Sequence, residues 1–455
     1  MFIADVLANF ATNVNYDEIP RPVVSRAKHL MLDAIGVAFA SGKYEFATAA
    51  LNGIRPLGTG DSDVIGFTDR LALRDAVLIN GILVHGLDYD DTYLPGSMHL
   101  TASNVPTAIA VAAHTRATGR DLVTACVVGL EVAARLAGAA KGGFQRTGFH
   151  ATGVCAAFSC ALVAGRLLGL TSAQLTMAQG IALSTASGSM QPLRDGSWTK
   201  RMHPGWAGSA GITAASMAKG GYLAPQAAYE GHFGFYPMYL GSEAPNAELG
   251  IVTNGLGKVW ELLRTSIKLF PAGHLSHAFM KATIGLVREH RITPDAVESV
   301  QVLIGEGAIP LICEPVEIKR RPTSSYMAQF SLQYAVACCI ARGTFGLAEL
   351  EPDAFNDNAI IGLAQKVGYE VDPDSGFPKS RTGEVIIKLK DGREVRRRET
   401  IHPDEPDSDQ EIVAKFMGNA RLVMPEARAA AIRDSVLGVE AQNDMQDFSR
   451  SLAHV

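Results

Sequence analysis

Long runs of a single charge and long uninterrupted apolar runs are both missing from this 455-residue sequence. Lysine and arginine together number 41 and the acidic residues 46, a formal net charge of −5, and no block of five like charges occurs. Nonspecific nucleic-acid binding therefore lacks its usual electrostatic driving force. The apolar stretch at 122–140 is interrupted by Glu131 and Arg135, short of the roughly 18 clean residues that a membrane span requires. We expect neither nucleic acid nor membrane as a partner.

Cysteine pairs at metal-binding spacing and a secretory leader are missing as well. The six cysteines are scattered through apolar segments, and no CxxC motif occurs. This usage is typical of buried thiols in a reducing compartment. The first residues contain no basic region ahead of an apolar run. The sequence therefore predicts a cytoplasmic protein without a cysteine-held metal.

Strand-like alternation is almost absent from the first ~265 residues, which instead carry one helical apolar pattern after another. The chain is 47% hydrophobic and 19% charged, so it can bury large cores, and its length suggests two domains. Alanine and glycine are dense here, and such small residues let helices approach closely. The predicted helical segments are 22–40, 73–87, 105–117, 121–139, 154–168, 172–187 and 206–219.

The pattern changes after Lys268, where segments rich in β-branched residues begin. Residues 300–304 have the composition of a buried strand. Asp391-Gly392 separates two strand-like runs within 383–398, which is a strong signal for a β-hairpin. Helical segments lie between these strands, at 327–341 and 356–367.

The helical pattern returns from Asp409 towards the end of the chain. We therefore predict a mainly α fold, in which a smaller α+β domain is inserted into a large all-helical domain. The predicted helical domain comprises residues 1–267 plus 401–455, and the predicted α+β domain comprises residues 268–400.

Three carboxylates and an imidazole are concentrated around the end of one apolar helix. Residues 88–92 read DYDDT, and His99 follows. Asp91 or Thr92 could simply cap the next helix. Alternatively, a carboxylate that hydrogen-bonds an imidazole fixes its tautomer and raises its basicity, so the loop could assemble an acid–base site. A magnesium site of the kind found in all-helical isoprenoid synthases is disfavoured, because the third acid of that pattern is missing.

Two further segments place imidazole and basic groups near helix starts. His150 lies in GFHATG at 148–153, just before an apolar helical segment. Lys200 and Arg201 precede the helix predicted from Trp206, whose free N–H groups and partial positive charge would suit a carboxylate ligand. Each segment also has an ordinary interpretation: a core or capping histidine in the first, and a solvated basic turn in the second.

The last segment of interest reads KLFPAGHLSH at 268–277 and lies at the predicted domain junction. Clefts between domains are favoured ligand sites. Its histidines, His274 and His277, share a helix face and could also ligate a metal. We predict no metal, because no third ligand of suitable spacing can be identified.

Together these four segments resemble the MmgE/PrpD family, and the resemblance spans nearly the whole chain. In this order and spacing the matching motifs are jointly specific. The motifs are HGLDYDDT at 85–92 with His99, GFHATG at 148–153, KRMHPG at 200–205, YEGHFGF at 229–235, the 268–277 segment and FSLQYA at 330–335.

The resemblance implies a large helical domain, a small inserted chorismate-mutase-like α+β domain, a homodimer, and chemistry without a metal or organic cofactor. Members include 2-methylcitrate dehydratases, cis-aconitate decarboxylases and iminodisuccinate epimerases. The chain departs from many members at Gln329, where they carry lysine, and it has one extra residue before His99, compared with animal decarboxylases, and one before His274. The active site of the decarboxylase branch matches Asp88, Thr92, His99, His150, Lys200, Lys268 and His274.

The reactions of this family build negative charge beside a carboxylate, so fixed cations and proton-transfer groups lower the barrier. On this resemblance His99 is the leading general acid–base and Asp88 orients it. His150 and His274 are the alternatives or the second proton carrier. The other expected roles are hydrogen bonding by Thr92, charge stabilisation by Lys200, and substrate binding by Lys268, His274, Arg201 and Arg194.

The predicted activity is that of a cofactor-independent lyase that dehydrates or decarboxylates a small anionic di- or tricarboxylate. The main alternative is an epimerase or racemase that inverts a carbon next to a carboxylate with two opposed bases. A non-catalytic binding protein on the same scaffold would have to explain why all seven site residue types remain.

Overall fold

A computed structural model of the chain describes residues 1–377, 380–402, 405 and 407–453, with only the backbone of Arg194 and Asp195. The chain divides into two compact units, Met1–Ile267 with Pro406–Val455, and Lys268–Glu405. The second unit is thus inserted in sequence between the two parts of the first. Helices dominate the described residues, and the predicted mainly α fold class is confirmed.

The first unit is built from long helices, several of them buried on nearly all sides. Small residues permit this packing: a Cβ added at Gly81 would lie 2.4 Å from the Cα of Gly205 on a crossing helix. The longer helices are Ile3–Asn13, Arg21–Ser41, Glu45–Ile54, Leu73–His85, Thr101–Thr115, Gly119–Ala139, Ala151–Leu167, Ser172–Ala182, Thr199–Lys219, Asp409–Ala420, Glu426–Leu437 and Met445–Leu452.

One of these helices, Gly119–Ala139, is long and apolar enough to cross a membrane by length and composition. Its most apolar window is nevertheless entirely buried within the fold. Glu131 and Arg135 pair inside the core at 2.6 Å, and Arg135 also donates hydrogen bonds to three backbone carbonyls. The core helix of a globular unit accounts for this pattern.

The helix predicted from Trp206 begins earlier, and this part of the prediction is wrong. The structure has one continuous helix, Thr199–Lys219, so Lys200 and Arg201 lie in its first turn and not before it. Pro204 lies inside the helix, where its missing N–H costs one backbone hydrogen bond. Close packing of Gly205 and Gly208 against helix Leu73–His85 holds the part of the helix that follows the proline.

The second unit contains a four-stranded sheet with helices packed on it. The strand order is Val367–Val371, Val297–Ile304, Arg381–Leu389, Glu394–Ile401; the first pair is parallel and the others antiparallel. The predicted hairpin is present, and Gly392 has the positive φ of 87° that its turn requires. The helices of this unit include His277–His290, Ser325–Gln329, Leu332–Arg342 and Asn358–Ala364.

The strand Val367–Val371 differs from the helix predicted for 356–367. The helix ends at Ala364, and the chain then pairs in parallel with Val297–Ile304. Because this pairing joins distant parts of the sequence, the pattern of residues near 367 did not indicate a strand there.

Candidate active site

Two crossing helices bring separate segments of the sequence together. The C-terminal end of helix Leu73–His85 lies near the first turn of helix Thr199–Lys219, which carries Lys200. The loop that follows the first helix supplies carboxylates to this region, and the close contact between Gly81 and Gly205 fixes the crossing. A side chain at either glycine would push the two helices apart.

Asp88 links an ammonium group and an imidazole. Its backbone has a φ of 48°, a left-handed conformation that aspartate tolerates better than most residues. Its Oδ2 lies 2.7 Å from Nζ of Lys200, and its Oδ1 lies 3.7 Å from Nε2 of His99. The predicted residues Asp88, His99 and Lys200 are thus brought together within the first unit.

The backbone defines which nitrogen of His99 is available for chemistry. Nδ1 lies 2.6 Å from the carbonyl oxygen of Asp91. Because a carbonyl oxygen only accepts hydrogen bonds, Nδ1 carries a hydrogen, and in the neutral ring the lone pair is on Nε2. The backbone N–H of His99 also donates to Thr152 Oγ1 at 3.1 Å. Nε2, the nitrogen that faces Asp88, is therefore the atom through which this ring can take up or release a proton.

Asp90 lies fully buried between two imidazoles, an arrangement that the sequence did not single out. Its Oδ2 is 2.8 Å from Nδ1 of His85, and its Oδ1 is 3.5 Å from Nδ1 of His99. Nε2 of His85 is buried and has no hydrogen-bond partner in the part of the chain that the structure describes. Both residues belong to the HGLDYDDT motif, which was the only signal that pointed to them.

Four imidazoles, which we call the imidazole cluster, lie side by side: His85, His99, His150 and His203. The ring centroid of His85 is 4.6 Å from that of His99 and 5.5 Å from that of His150. Nδ1 of His150 lies 3.0 Å from Nδ1 of His203, so one of these nitrogens donates to the other. The structure therefore also brings the predicted residue His150 to this site, while His203 was not assigned a role from the sequence.

Burial keeps two members of the imidazole cluster neutral near pH 7. It lowers the pKa of His150 well below the usual range, and the Lys200 ammonium and the neighbouring imidazoles add to this effect. Burial, followed by His85 and Lys200, lowers the pKa of His203 to about 4. A second positive charge beside Lys200 is costly in a poorly solvated position. In the ligand-free protein these two rings therefore act as neutral hydrogen-bonding groups.

Asp91 matches the simpler, structural interpretation of its segment. Its carboxylate accepts hydrogen bonds from the N–H groups of Leu100 and Thr101, at 2.8 and 2.9 Å, and so caps the start of helix Thr101–Thr115. Burial and the adjacent Asp90 raise the pKa of Asp91 to about 7, against the opposing effect of these hydrogen bonds.

Thr92 lies next to these carboxylates on a short strand that pairs with Ser266. It is 8% exposed, and its buried Oγ1 has no hydrogen-bond partner among the described residues. A hydroxyl in this state can donate to a bound ligand without breaking an existing bond.

The predicted set also contains Arg201, Lys268, His274 and Arg194. The guanidinium of Arg201 stacks over Phe46, 4.4 Å from its ring centroid. Lys268 and His274 belong to the second unit, where both are buried. The side chain of Arg194 lies outside the described part of the chain.

The imidazole cluster has the composition of a metal site, although we do not assign one. Nitrogens of His85, His99 and His150 lie within 4.8 Å of one another. The sequence arguments against a metal concerned the cysteines, the acidic residues 88–91, and His274 with His277, and they did not foresee this group of histidines. The ammonium of Lys200, which already pairs with Asp88 at 2.7 Å, opposes a dication here. Proton transfer is the chemistry that these groups favour.

Comparison with known proteins assigns the chain to a family. The family model of the MmgE/PrpD N-terminal domain matches residues 5–248, and that of the MmgE/PrpD C-terminal domain matches residues 270–440. The chain belongs to the MmgE/PrpD family. The resemblance predicted from the sequence is thus confirmed, and the imidazole cluster lies within the N-terminal family domain.

Several MmgE/PrpD relatives are named cis-aconitate decarboxylases. The protein of that name from Aspergillus terreus is 29% identical over 481 residues, covering 97% of this chain and 94% of the relative. The human protein of that name is 26% identical over 468 residues, covering 99% and 94%. A cis-aconitate decarboxylase-like protein, oryM from Aspergillus oryzae, is 26% identical over 462 residues, covering 97% and 95%.

Proposed function

We propose that this MmgE/PrpD chain is a cofactor-independent lyase that decarboxylates cis-aconitate or a closely similar unsaturated tricarboxylate. The observation that carries the proposal is the contact of Asp88 with both Lys200 and Nε2 of His99. The names of the relatives, which align over nearly the whole chain, support a lyase of this type. The epimerase alternative has no support in these comparisons.

The chemistry of cis-aconitate defines what such a site must supply. The carboxylate on the saturated carbon leaves as CO₂, and the electron pair of the broken C–C bond forms a new double bond to the central carbon. The former double bond shifts its electrons to the outer alkene carbon, which takes up a proton. One proton enters and one CO₂ leaves, so the step needs a proton donor and charge stabilisation but no oxidant or reductant.

His99 supplies this proton in the proposed reaction. Its Nε2 and Nδ1 lie 3.7 and 3.5 Å from the carboxylates of Asp88 and Asp90, so a proton on the ring faces negative charge. Transfer from Nε2 leaves a neutral ring whose Nδ1–H still donates to the Asp91 carbonyl, so the ring keeps its orientation. Lys200 stabilises the charge that develops beside the remaining carboxylates.

Further roles in the proposal come from the family resemblance. Thr92 donates a hydrogen bond to substrate from Oγ1, and His150 is the second proton carrier. The proposed substrate-binding residues are Lys268 and His274, from the same resemblance, and Arg201 and Arg194, from their positions in the sequence.

A direct assay tests the proposed function. Purified protein is incubated with cis-aconitate in deuterated buffer, and NMR follows the product while a coupled assay follows CO₂. Release of CO₂ with one solvent deuteron incorporated per product is the expected result. Loss of water from a hydroxylated analogue such as 2-methylcitrate, without CO₂, would instead establish a dehydratase. Exchange of an α-hydrogen of an aspartate-like acid without net conversion would establish an epimerase.

The proposal extends to assembly, compartment and the inserted unit. A homodimer is supported by apolar side chains exposed at the start of helix Thr199–Lys219: the N-cap Trp198 and the helical residues Met202 and Trp206 are 47%, 41% and 44% exposed. Analytical ultracentrifugation should give twice the 48.3 kDa chain mass.

All six cysteines are buried free thiols, which supports a reducing cytoplasm. The chorismate-mutase-like character of the inserted unit likewise remains part of the proposal.

A further inference from the structure

We propose that Asp90 is a positioning residue for the proposed reaction: it fixes the tautomer of His85 and thereby keeps a proton-accepting nitrogen inside the imidazole cluster. The inference rests on the proposed function, since it assigns a role to a residue behind the reacting groups. Asp90 is fully buried beneath the imidazoles, so it acts through them and not on substrate.

The hydrogen bond between Asp90 and His85 determines where the imidazole carries its hydrogen. An ionised carboxylate only accepts hydrogen bonds, so Nδ1 of His85, at 2.8 Å, is the donor. The lone pair of the neutral ring is then on Nε2. That nitrogen is buried and has no partner among the described residues, a state that costs free energy.

The neighbours of His85 indicate what this available lone pair is for. The ring lies next to both His99 and His150, with centroid distances of 4.6 and 5.5 Å. His99 gives up one proton per turnover and must regain one. A neighbouring ring can pass it a proton only if that ring first accepts one at a nitrogen with a lone pair, as Nε2 of His85 can. Oδ1 of Asp90 also lies 3.5 Å from Nδ1 of His99, so the carboxylate that orients His85 can stabilise a proton on either ring.

The variant Asp90→Asn separates this role from simple packing. Asparagine has nearly the same shape, but its amide group can donate a hydrogen bond to Nδ1 of His85. The hydrogen of the ring then moves to Nε2, and the acceptor in the cluster is lost. We expect kcat to fall by about 10²-fold, in the range of general acid–base effects, with KM within about threefold of wild type.

Two readouts test the proposal. Solid-state NMR of protein labelled with ¹⁵N-histidine reports the tautomer of His85, which is assigned by the signal missing from His85→Gln. The hydrogen should lie on Nδ1 in wild type and on Nε2 in Asp90→Asn. A matched control is Asp63→Asn, because Asp63 is also buried and accepts a hydrogen bond from Ser449 at 2.9 Å, outside the cluster.

Each possible result either supports or overturns the role proposed for Asp90. The proposal fails if His85 keeps its tautomer in Asp90→Asn, or if kcat of this variant falls no further than that of Asp63→Asn. Should Asp90→Asn not fold, His85→Gln must lower kcat at least tenfold at unchanged KM. The NMR readout needs no substrate, so a protein inactive on cis-aconitate would refute the proposed function while the tautomer still tests the role of Asp90.

Discussion

Asp88 and Lys200 form an ion pair across 112 residues of sequence, with 2.7 Å between Oδ2 and Nζ. Their side chains are only 15% and 14% exposed, so water screens the pair weakly. The cation expected to stabilise developing charge is therefore already held by a carboxylate before substrate arrives. An incoming carboxylate must share Lys200 with Asp88, and the pair positions the ammonium for it.

Removal of the ammonium should impair catalysis more than folding. We expect Lys200→Met to lower kcat/KM for cis-aconitate by about 10²-fold or more, because it loses the cation where negative charge develops. Lys200→Arg keeps the charge but changes its shape, and should retain more activity than Lys200→Met. Steady-state kinetics on both variants provide the measurement. Equal activity of the two would show that the charge is not what matters.

Loss of the His99 imidazole should be the most damaging single change. His99→Gln removes the proposed proton donor, and we expect kcat to fall by about 10²–10⁴-fold. His232→Gln is the matched control, since His232 is exposed and lies outside the imidazole cluster. If His99→Gln kept turnover within about tenfold of wild type, the assignment of the acid–base would be wrong.

Much of this arrangement could be predicted from residue patterns, because local physics determines it. The apolar repeats of helices such as Leu73–His85 and Ala151–Leu167 bury one face or the whole helix, and they were readable without the structure. Asp391-Gly392 likewise predicted its hairpin, since few residue pairs adopt that turn. The proximity of His99 to Lys200 has no local cause, and only the family resemblance indicated it.

The different structural roles of the three neighbouring carboxylates could not be predicted from the sequence. Asp88, Asp90 and Asp91 have the same chemistry and lie within four residues, yet one pairs with an ammonium, one joins two imidazoles and one caps a helix. The positive φ of Asp88 turns successive side chains towards different partners. That backbone state depends on packing around the loop, which a pattern of acids does not reveal.

The hydroxyl of Thr92 offers a change that should affect substrate binding and leave the fold intact. Thr92→Val keeps the shape and removes an Oγ1 that has no hydrogen-bond partner within the described residues. We expect a thermal midpoint that is not lowered, because no hydrogen bond among the described residues is lost, and a KM raised by about tenfold, the effect of one lost hydrogen bond to substrate of roughly 1.4 kcal/mol. Thr92→Ser retains the hydroxyl and should bind substrate nearly normally. A normal KM in Thr92→Val would remove this residue from the site.

Lys415 should stabilise the fold, because it contacts both a buried carboxylate and the loop that carries Asp88. Its Nζ lies 2.6 Å from Asp33 Oδ1 and donates to the carbonyl of Tyr89 at 2.7 Å, next to Asp88 in sequence. Lys415→Met leaves the buried carboxylate of Asp33 without this cation, and we expect a loss of about 3–5 kcal/mol in the free energy of unfolding. Denaturant titration measures it.

A double variant identifies the cause of that loss. Asp33→Leu combined with Lys415→Met removes both charges and should recover part of the stability, because the unpaired carboxylate is gone. Activity should stay low in both, since the loop loses its bond at Tyr89. No recovery in the double variant would assign the loss to packing alone.

The low pKa of His203 predicts how stability responds to acid. Its pKa of about 4 in the folded chain lies below the value of about 6.5 expected when unfolded, so the unfolded chain binds the proton more readily. Stability is therefore lost as pH falls from about 6.5 towards 4, by roughly 2 kcal/mol at pH 5 from this group.

His203→Gln, which can still hydrogen-bond His150, should lose less stability over the same interval. The free energy of unfolding of both proteins is measured by denaturant titration at pH 7.5 and pH 5. Asp33 and Asp91, whose raised pKa values act in the opposite direction, contribute equally to both proteins, so their contributions cancel when the two losses are subtracted. Parallel losses in the two proteins would mean that His203 is not buried in its neutral form.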